Sequence, residues 1–112
     1  MTFEANISAI PDNLAGRIGI KLYKNSFSTL GTNITIRRSS SKTDFTIWED
    51  VLTFLVPSNS ILDYIWYDYT VENGVWYLYQ AEQRNKAGFR STYIQIPNPV
   101  MIFSEDILLT TA

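Results

Sequence analysis

The sequence predicts an all-β chain, an antiparallel β-sandwich of about seven strands packed as two sheets. Three observations carry this. Apolar residues recur with a period of two, as side chains on a half-buried strand do. Clusters of turn-forming residues interrupt that alternation about every ten positions. The chain has 112 residues, 46% hydrophobic and 14% aromatic, the size of one domain that buries roughly 65% of the surface its unfolded form exposes.

The elements follow in order. Phe3, Ala5, Ile7 and Ala9 alternate and predict a first edge strand, with turn chemistry at Pro11-Asp12-Asn13. In Gly16 to Lys24, Ile18, Ile20 and Leu22 fall on one face, and Arg17, Gly19 and Lys21 on the other. Asn25 to Asn33 is polar; Ile34, Ile36 and Arg38 then alternate with Thr35 and Arg37 before Ser39-Ser40-Ser41-Lys42. Thr43 to Pro57 is open to two readings. Thr46 and Glu49 have capping-box spacing for a helix, whereas Phe, Thr, Ile, Trp and Val favour a strand, which is preferred. Ile61 to Val71 reads as an aromatic strand, Val75 to Arg84 and Phe89 to Ile96 as two more, and Val100 to Phe103 precedes Ile107-Leu108-Leu109. Residues 1–97 are expected to form the sandwich, and 98–112 a C-terminal strand or the start of a connection to a further domain.

Composition removes several chemistries. There is no Cys and no His, so disulfides, thiolate nucleophiles, imidazole bases and His- or Cys-ligated zinc are excluded. Nine Lys+Arg against eleven Asp+Glu give a formal net charge of −2, with no basic block to bind phosphates, so no nucleic-acid partner is expected. Met1 to Gly16 lacks the pattern of a signal peptide, and no apolar run approaches the ~18 residues of a membrane helix. Neither export nor membrane insertion is expected.

Val71-Glu72-Asn73-Gly74-Val75-Trp76-Tyr77 leads into Tyr79, Ala81, Gln83 and Asn85 at steps of two, with Gly88 and Ser91 beyond. This resembles the E–F corner, F strand and F–G loop of fibronectin type III domains. The resemblance makes Tyr77 the corner tyrosine, with Gly74, Asn85 and Gly88 as the turn residues around it. Ala81 and Gln83 depart from the Val and Ala usual in the family, and Tyr23 lies near where its early tryptophan would be. Asn73-Gly74 also fits a two-residue hairpin, which would put the flanking strands in one sheet; the corner would put them in opposite sheets, and is preferred.

A broader resemblance runs through Gly16-Arg17-Ile18-Gly19-Ile20-Lys21, Ile36-Arg37-Arg38-Ser39-Ser40, Trp48-Glu49-Asp50, Asp68-Tyr69-Thr70-Val71-Glu72-Asn73-Gly74-Val75 and Ser104-Glu105-Asp106-Ile107-Leu108-Leu109. It looks like a fibronectin-like domain of large structural proteins in the tails of bacterial viruses. The resemblance implies a virion component, made in the host cytoplasm, whose partners are other virion proteins, further domains of the same protein or copies of itself in the particle. The apolar ending at Ile107–Leu109 fits an excised domain of a longer protein.

Eight carboxylates, including Asp44, Glu49, Asp50, Asp68 and Glu72, are enough for a glycosidase pair, yet they fall mainly at strand ends and turns. The expectation is no catalytic residue, no metal, no cofactor and no enzyme. Arg37 and Arg38 are read as a solvated strand face, in preference to a small basic patch with Lys42-Thr43 that pairs with Glu49 or Asp50 across strands. Trp66 and Trp76 are expected in the core. Trp48, Arg37, Arg38, Ile107 and Leu109 are the interface candidates. Two functions compete: a spacer and docking module, or a carbohydrate-binding module that uses exposed aromatic rings.

Overall fold

The computed structural model describes residues 5–24, 32–56, 62–84 and 90–103. Seven strands occur among them: β1 (Asn6–Asp12), β2 (Arg17–Lys24), β3 (Thr32–Ser40), β4 (Glu49–Val56), β5 (Leu62–Asp68), β6 (Tyr77–Arg84) and β7 (Ile94–Gln95). They form an antiparallel β-sandwich. One sheet has the order β1-β2-β5 and the other β4-β3-β6-β7. No helix among the described residues is long and apolar enough to cross a membrane.

The alternation in β2 and β3 decides which faces meet. Ile18, Ile20 and Leu22 from β2 and Ile34 and Ile36 from β3 are fully buried, joined by Tyr77, Tyr79 and Ala81 from β6 and by Ile96 and Ile102. Each fully buried aliphatic side chain contributes about 1.5–3 kcal/mol, so these inward rows hold the two sheets together. Ala5, Ile7 and Ala9 of the β1 segment and Trp66 of β5 pack against them from the sides.

The turn between β1 and β2 lies at residues 13–16, later than Pro11-Asp12-Asn13. Pro11 pairs with Ile18 at the sheet edge, where a missing N–H costs no ladder bond. Thr46 opens no helix: its hydroxyl donates to the Thr43 carbonyl (2.5 Å), after a single 3-10 turn at Ser41–Thr43. Asp44 and Phe45 have φ of 56° and 57°, a region costly for a residue as bulky as phenylalanine. Phe45 N–H donates to the Ser40 carbonyl (3.0 Å) and helps hold that conformation.

The strand expected over Ile61 to Val71 ends at Asp68, and the one expected from Val75 begins at Tyr77. Residues 69–76 carry the chain from one sheet to the other, so Asn73-Gly74 closes no hairpin. Gly74 has φ of 76°, which suits glycine. Its N–H donates to the Ile102 carbonyl (3.0 Å), while Tyr77 and Val100 exchange backbone bonds of 2.7 and 2.9 Å. In this way the segment after β7 closes over the crossing. Asn85, Gly88, Ile107 and Leu109 lie outside the described residues, as does most of 98–112.

Candidate functional site

Arg38 falls in phase with Ile34 and Ile36 on β3, and that phase turns its side chain inward at one end of the sandwich. It is 12% exposed, against 1% for Asp68 of β5. Arg38 Nη1 donates to Asp68 Oδ2 (2.7 Å) and to Thr70 Oγ1 (2.7 Å), and Nε donates to Glu49 Oε1 (3.1 Å). The Thr70 hydroxyl passes the chain on to Asp68 Oδ1 (2.6 Å). Thr70 N–H donates to the same oxygen (3.0 Å), and Tyr79 OH donates to Oδ2 (2.7 Å). Burial pushes the Asp68 carboxyl up, but the bonds from Thr70 and Tyr79 and the Arg38 charge outweigh it and hold the group below the usual carboxylate value. Burial and the Asp68 charge push the Tyr79 phenol far up. Arg38 stays firmly cationic: burial opposes its charge, and Glu49 and Asp68 more than offset that.

The reading of Arg38 as part of a solvated strand face is therefore corrected. Its guanidinium is used inside the fold, because a buried carboxylate without a countercharge would cost several kcal/mol. Asp68 does fall at a strand end, as the last residue of β5, but it is buried there and needs that countercharge. Above this cluster opens a cleft of about 260 Å³ whose lining includes Arg38, Lys42, Glu49, Thr70, Glu72 and Tyr77. Lys42 Nζ and Glu72 pair at its rim, with both side chains 57% exposed. Tyr77 lies beneath, 3% exposed, and its hydroxyl accepts the Glu72 N–H (2.8 Å). The ring fixes the crossing between sheets from the inside, as a tyrosine corner does.

The other sequence-selected residues fall as follows. Arg37 is half-buried on the outer face of β3, bonded to Gln80 Oε1 (2.7 Å), with its guanidinium 5.4 Å from the Trp48 ring and 5.1 Å from the Tyr93 ring. Trp48 is half-buried. Trp76, expected in the core, is 47% exposed: Tyr77 and Tyr79 take the inward phase, so the residue before them turns out.

A second surface was not singled out from the sequence. The pairing of β1, β2 and β5 sets Ile10, Gly19 and Tyr67 in one row across the outer face and Ser8, Lys21 and Ile65 in the next. Ile10, Ile65 and Tyr67 are exposed, as are Leu14 in the β1–β2 turn and Tyr69 beyond β5. With only hydrogen at Gly19, the Tyr67 ring leans over the central strand; a Cβ there would sit 3.2 Å from its Cε1. Arg17 covers Tyr67 with its guanidinium 3.8 Å from the ring centroid, and bonds Tyr69 OH (2.6 Å) and Asp12 Oδ2 (2.9 Å). Tyr69 and Asp12 raise the Arg17 value. The Ala15 N–H and Arg17 lower that of Asp12. Ile10, Leu14, Ile65 and Tyr67 border a cleft of about 460 Å³ with Arg17 and Asp12 at its polar end.

No protein-family model matches the chain, and no curated protein matches it. Among solved structures, the chain is similar to the crystal structure of a family 76 glycoside hydrolase from a bovine Bacteroides thetaiotaomicron strain, with a TM-score of 0.61 and 12% identity. The match covers 90% of this chain and 21% of that one, so this chain spans about a fifth of the solved protein. At such identity the likeness shows the fold alone. It also corrects one expectation: the exclusion of enzymatic activity does not stand for a fold that recurs within a chain named as a glycoside hydrolase.

Proposed function

We propose that the chain is a structural and docking module in the tail of a bacterial virus, and that the outer face of the β1-β2-β5 sheet is its docking surface. The exposed apolar rows of that face carry the docking part. Ile10, Leu14, Ile65 and Tyr67 are 57, 81, 48 and 36% exposed, and they border one cleft from β1 and its turn to β5, across Gly19 of β2, where a solvated face would be polar. The viral context is supported by the resemblance through Ile36 to Ser40, Trp48 to Asp50 and Asp68 to Val75, and the strand order and the Tyr77–Glu72 bond agree with a fibronectin type III-like sandwich.

The proposal is tested in the reading frame and in the particle. A gene neighbourhood of tail-assembly genes supports it, and a metabolic operon overturns it. In a virus carrying L14D or I65D, tails are expected to fail in assembly; normal particles with both variants would remove the docking surface.

The exposure of Trp76, 47% and with no cation over its ring among the described residues, favours sugar binding as a second reading, since an exposed indole face stacks on a pyranose ring. Titration with host-surface glycans, followed by tryptophan fluorescence in wild type and W76A, separates the two: a saturable change lost in W76A supports sugar binding, and no change removes it.

A further inference from the structure

We infer that the outer face of the β1-β2-β5 sheet packs against the same face of a second copy of this chain, about a two-fold axis. The inference rests on reading that face as a docking surface, and it names the occupant.

Area is the first ground. Of the eleven exposed large hydrophobic residues among the described positions, six belong to or adjoin this face: Ile10, Leu14, Tyr23, Ile65, Tyr67 and Tyr69. At ~200 Å² for a fully exposed large side chain, their exposed fractions amount to about 650 Å². This exceeds the roughly 300–600 Å² of the largest patch on a typical monomer and approaches the ~800 Å² that each partner buries in a stable complex. The outer face of the other sheet also exposes Leu55 and Tyr93, but its centre is a polar network. There Thr35 meets Thr53 (3.1 Å), Arg37 meets Gln80 (2.7 Å), and Gln80 meets Gln95 (2.6 Å).

Charge supplies the second ground and selects a like partner. The face carries Arg17 and Lys21 against Asp12 and Asp63, so its charges cancel. Arg17 and Asp12 pair with each other at 2.9 Å. The side chains of Lys21 and Asp63, both exposed, have no ion-pair or hydrogen-bond partner among the described residues. A two-fold axis brings Lys21 of one copy to Asp63 of the other, and repeats the contact. A strongly acidic or basic partner would find no matching field here. Face-to-face sheets stack about 10 Å apart with interdigitated side chains. Leu14, 81% exposed, is the knob, and the cleft of about 460 Å³ beside Ile10 and Tyr67 is the hole.

Sedimentation velocity on the 112-residue chain tests this. The chain is expected to form a dimer at tens of micromolar. L14D and I65D are each expected to weaken it by more than tenfold, and K21E and D63K by several-fold each. An equimolar mixture of K21E and D63K, whose charges complement one another, is expected to regain a heterodimer. A monomer up to about 500 µM, or a dimer indifferent to L14D and I65D, overturns the inference. So does a mixture that associates no better than either single variant. The tail-assembly experiment keeps the two readings apart. A monomeric chain whose L14D form still blocks assembly leaves docking to another protein, and a dimer whose variants assemble normally leaves self-association without docking.

Discussion

Replacing Asp68 by asparagine is a sharp test of the cluster at the end of the sandwich. The wild-type carboxylate accepts four bonds: Oδ2 from Arg38 and Tyr79, and Oδ1 from the hydroxyl and the backbone N–H of Thr70. Asparagine keeps the shape, but one of its two terminal atoms becomes an NH₂ donor. Turned toward Oδ2 it faces the Arg38 guanidinium, and turned toward Oδ1 it faces the Thr70 N–H; neither can accept. One buried donor pair is thus set against another in either orientation, and Arg38 loses its buried countercharge while it keeps Glu49. Breaking a buried pair costs about 3–5 kcal/mol, and the retained Glu49 places D68N near 3. At roughly 4 °C per kcal/mol for a domain of this size, the midpoint falls by about 12 °C. Urea unfolding followed by tryptophan fluorescence measures this. The pH dependence has a defined sign. Asp68 is depressed in the folded state, so its contribution is complete above the unfolded value of about 3.9 and is lost as pH falls through the lower folded value. Protonated Asp68 also carries a donor where it needs an acceptor, so wild type in acid converges on D68N. The stability gap is expected to be full near pH 7 and to narrow below about pH 4. A gap under about 1 kcal/mol at neutral pH, or one that widens in acid, would refute the reasoning.

Further expectations concern other parts of the fold. Y77F keeps the buried ring but removes the acceptor of the Glu72 N–H, at a cost of about 1–2 kcal/mol in urea unfolding. G74A forces a side chain onto a φ of 76° and is expected to cost about 1–2 kcal/mol, whereas G19A brings its Cβ to 3.2 Å from the half-exposed Tyr67 ring, which can tilt away, and should stay under about 1 kcal/mol. I20A, at a fully buried position, should cost about 2–5 kcal/mol. I10A, at one that is 57% exposed, should cost under about 1 kcal/mol, and the same denaturation series reads both.

Much of this was legible wherever one strand carries the whole signal. Ile18, Ile20 and Leu22 face the core because their period is two, and that needs no partner. The same period places Arg38 with Ile34 and Ile36, and turns Trp76 away from Tyr77 and Tyr79. Charge alone points Arg38 to solvent and aromatic character alone points Trp76 to the core, but on these strands phase decides the side. The Arg38–Asp68 pair joins strands from opposite sheets and positions 30 residues apart, so local pattern does not hold it. The outer apolar face is likewise a product of register. Ile10, Gly19 and Tyr67 become neighbours only when β2 lies between β1 and β5; on their own strands Ile10 and Tyr67 are single exposed residues and Gly19 a buried one. The turn at residues 13–16 was hidden by Pro11, which punctuates most sequences but is tolerated at a sheet edge.

The strand order also sets the tempo at which this chain acquires its structure. β2 finds its second neighbour in β5, and β3 its second neighbour in β6, with partners such as Ile20 and Trp66 or Ile36 and Ala81 some 45 residues apart in the chain. Closing loops of that length precedes any reward from pairing, and topologies of this kind fold in milliseconds to seconds, slower than helical domains of equal size. On a ribosome, the β1–β2 hairpin emerges with Ile18, Ile20 and Leu22 uncovered, and they stay so until β5 and β6 follow. The interval before β6 appears is therefore when the nascent chain is most open to wrong partners, and a pause in synthesis ahead of residue 77 would lengthen it.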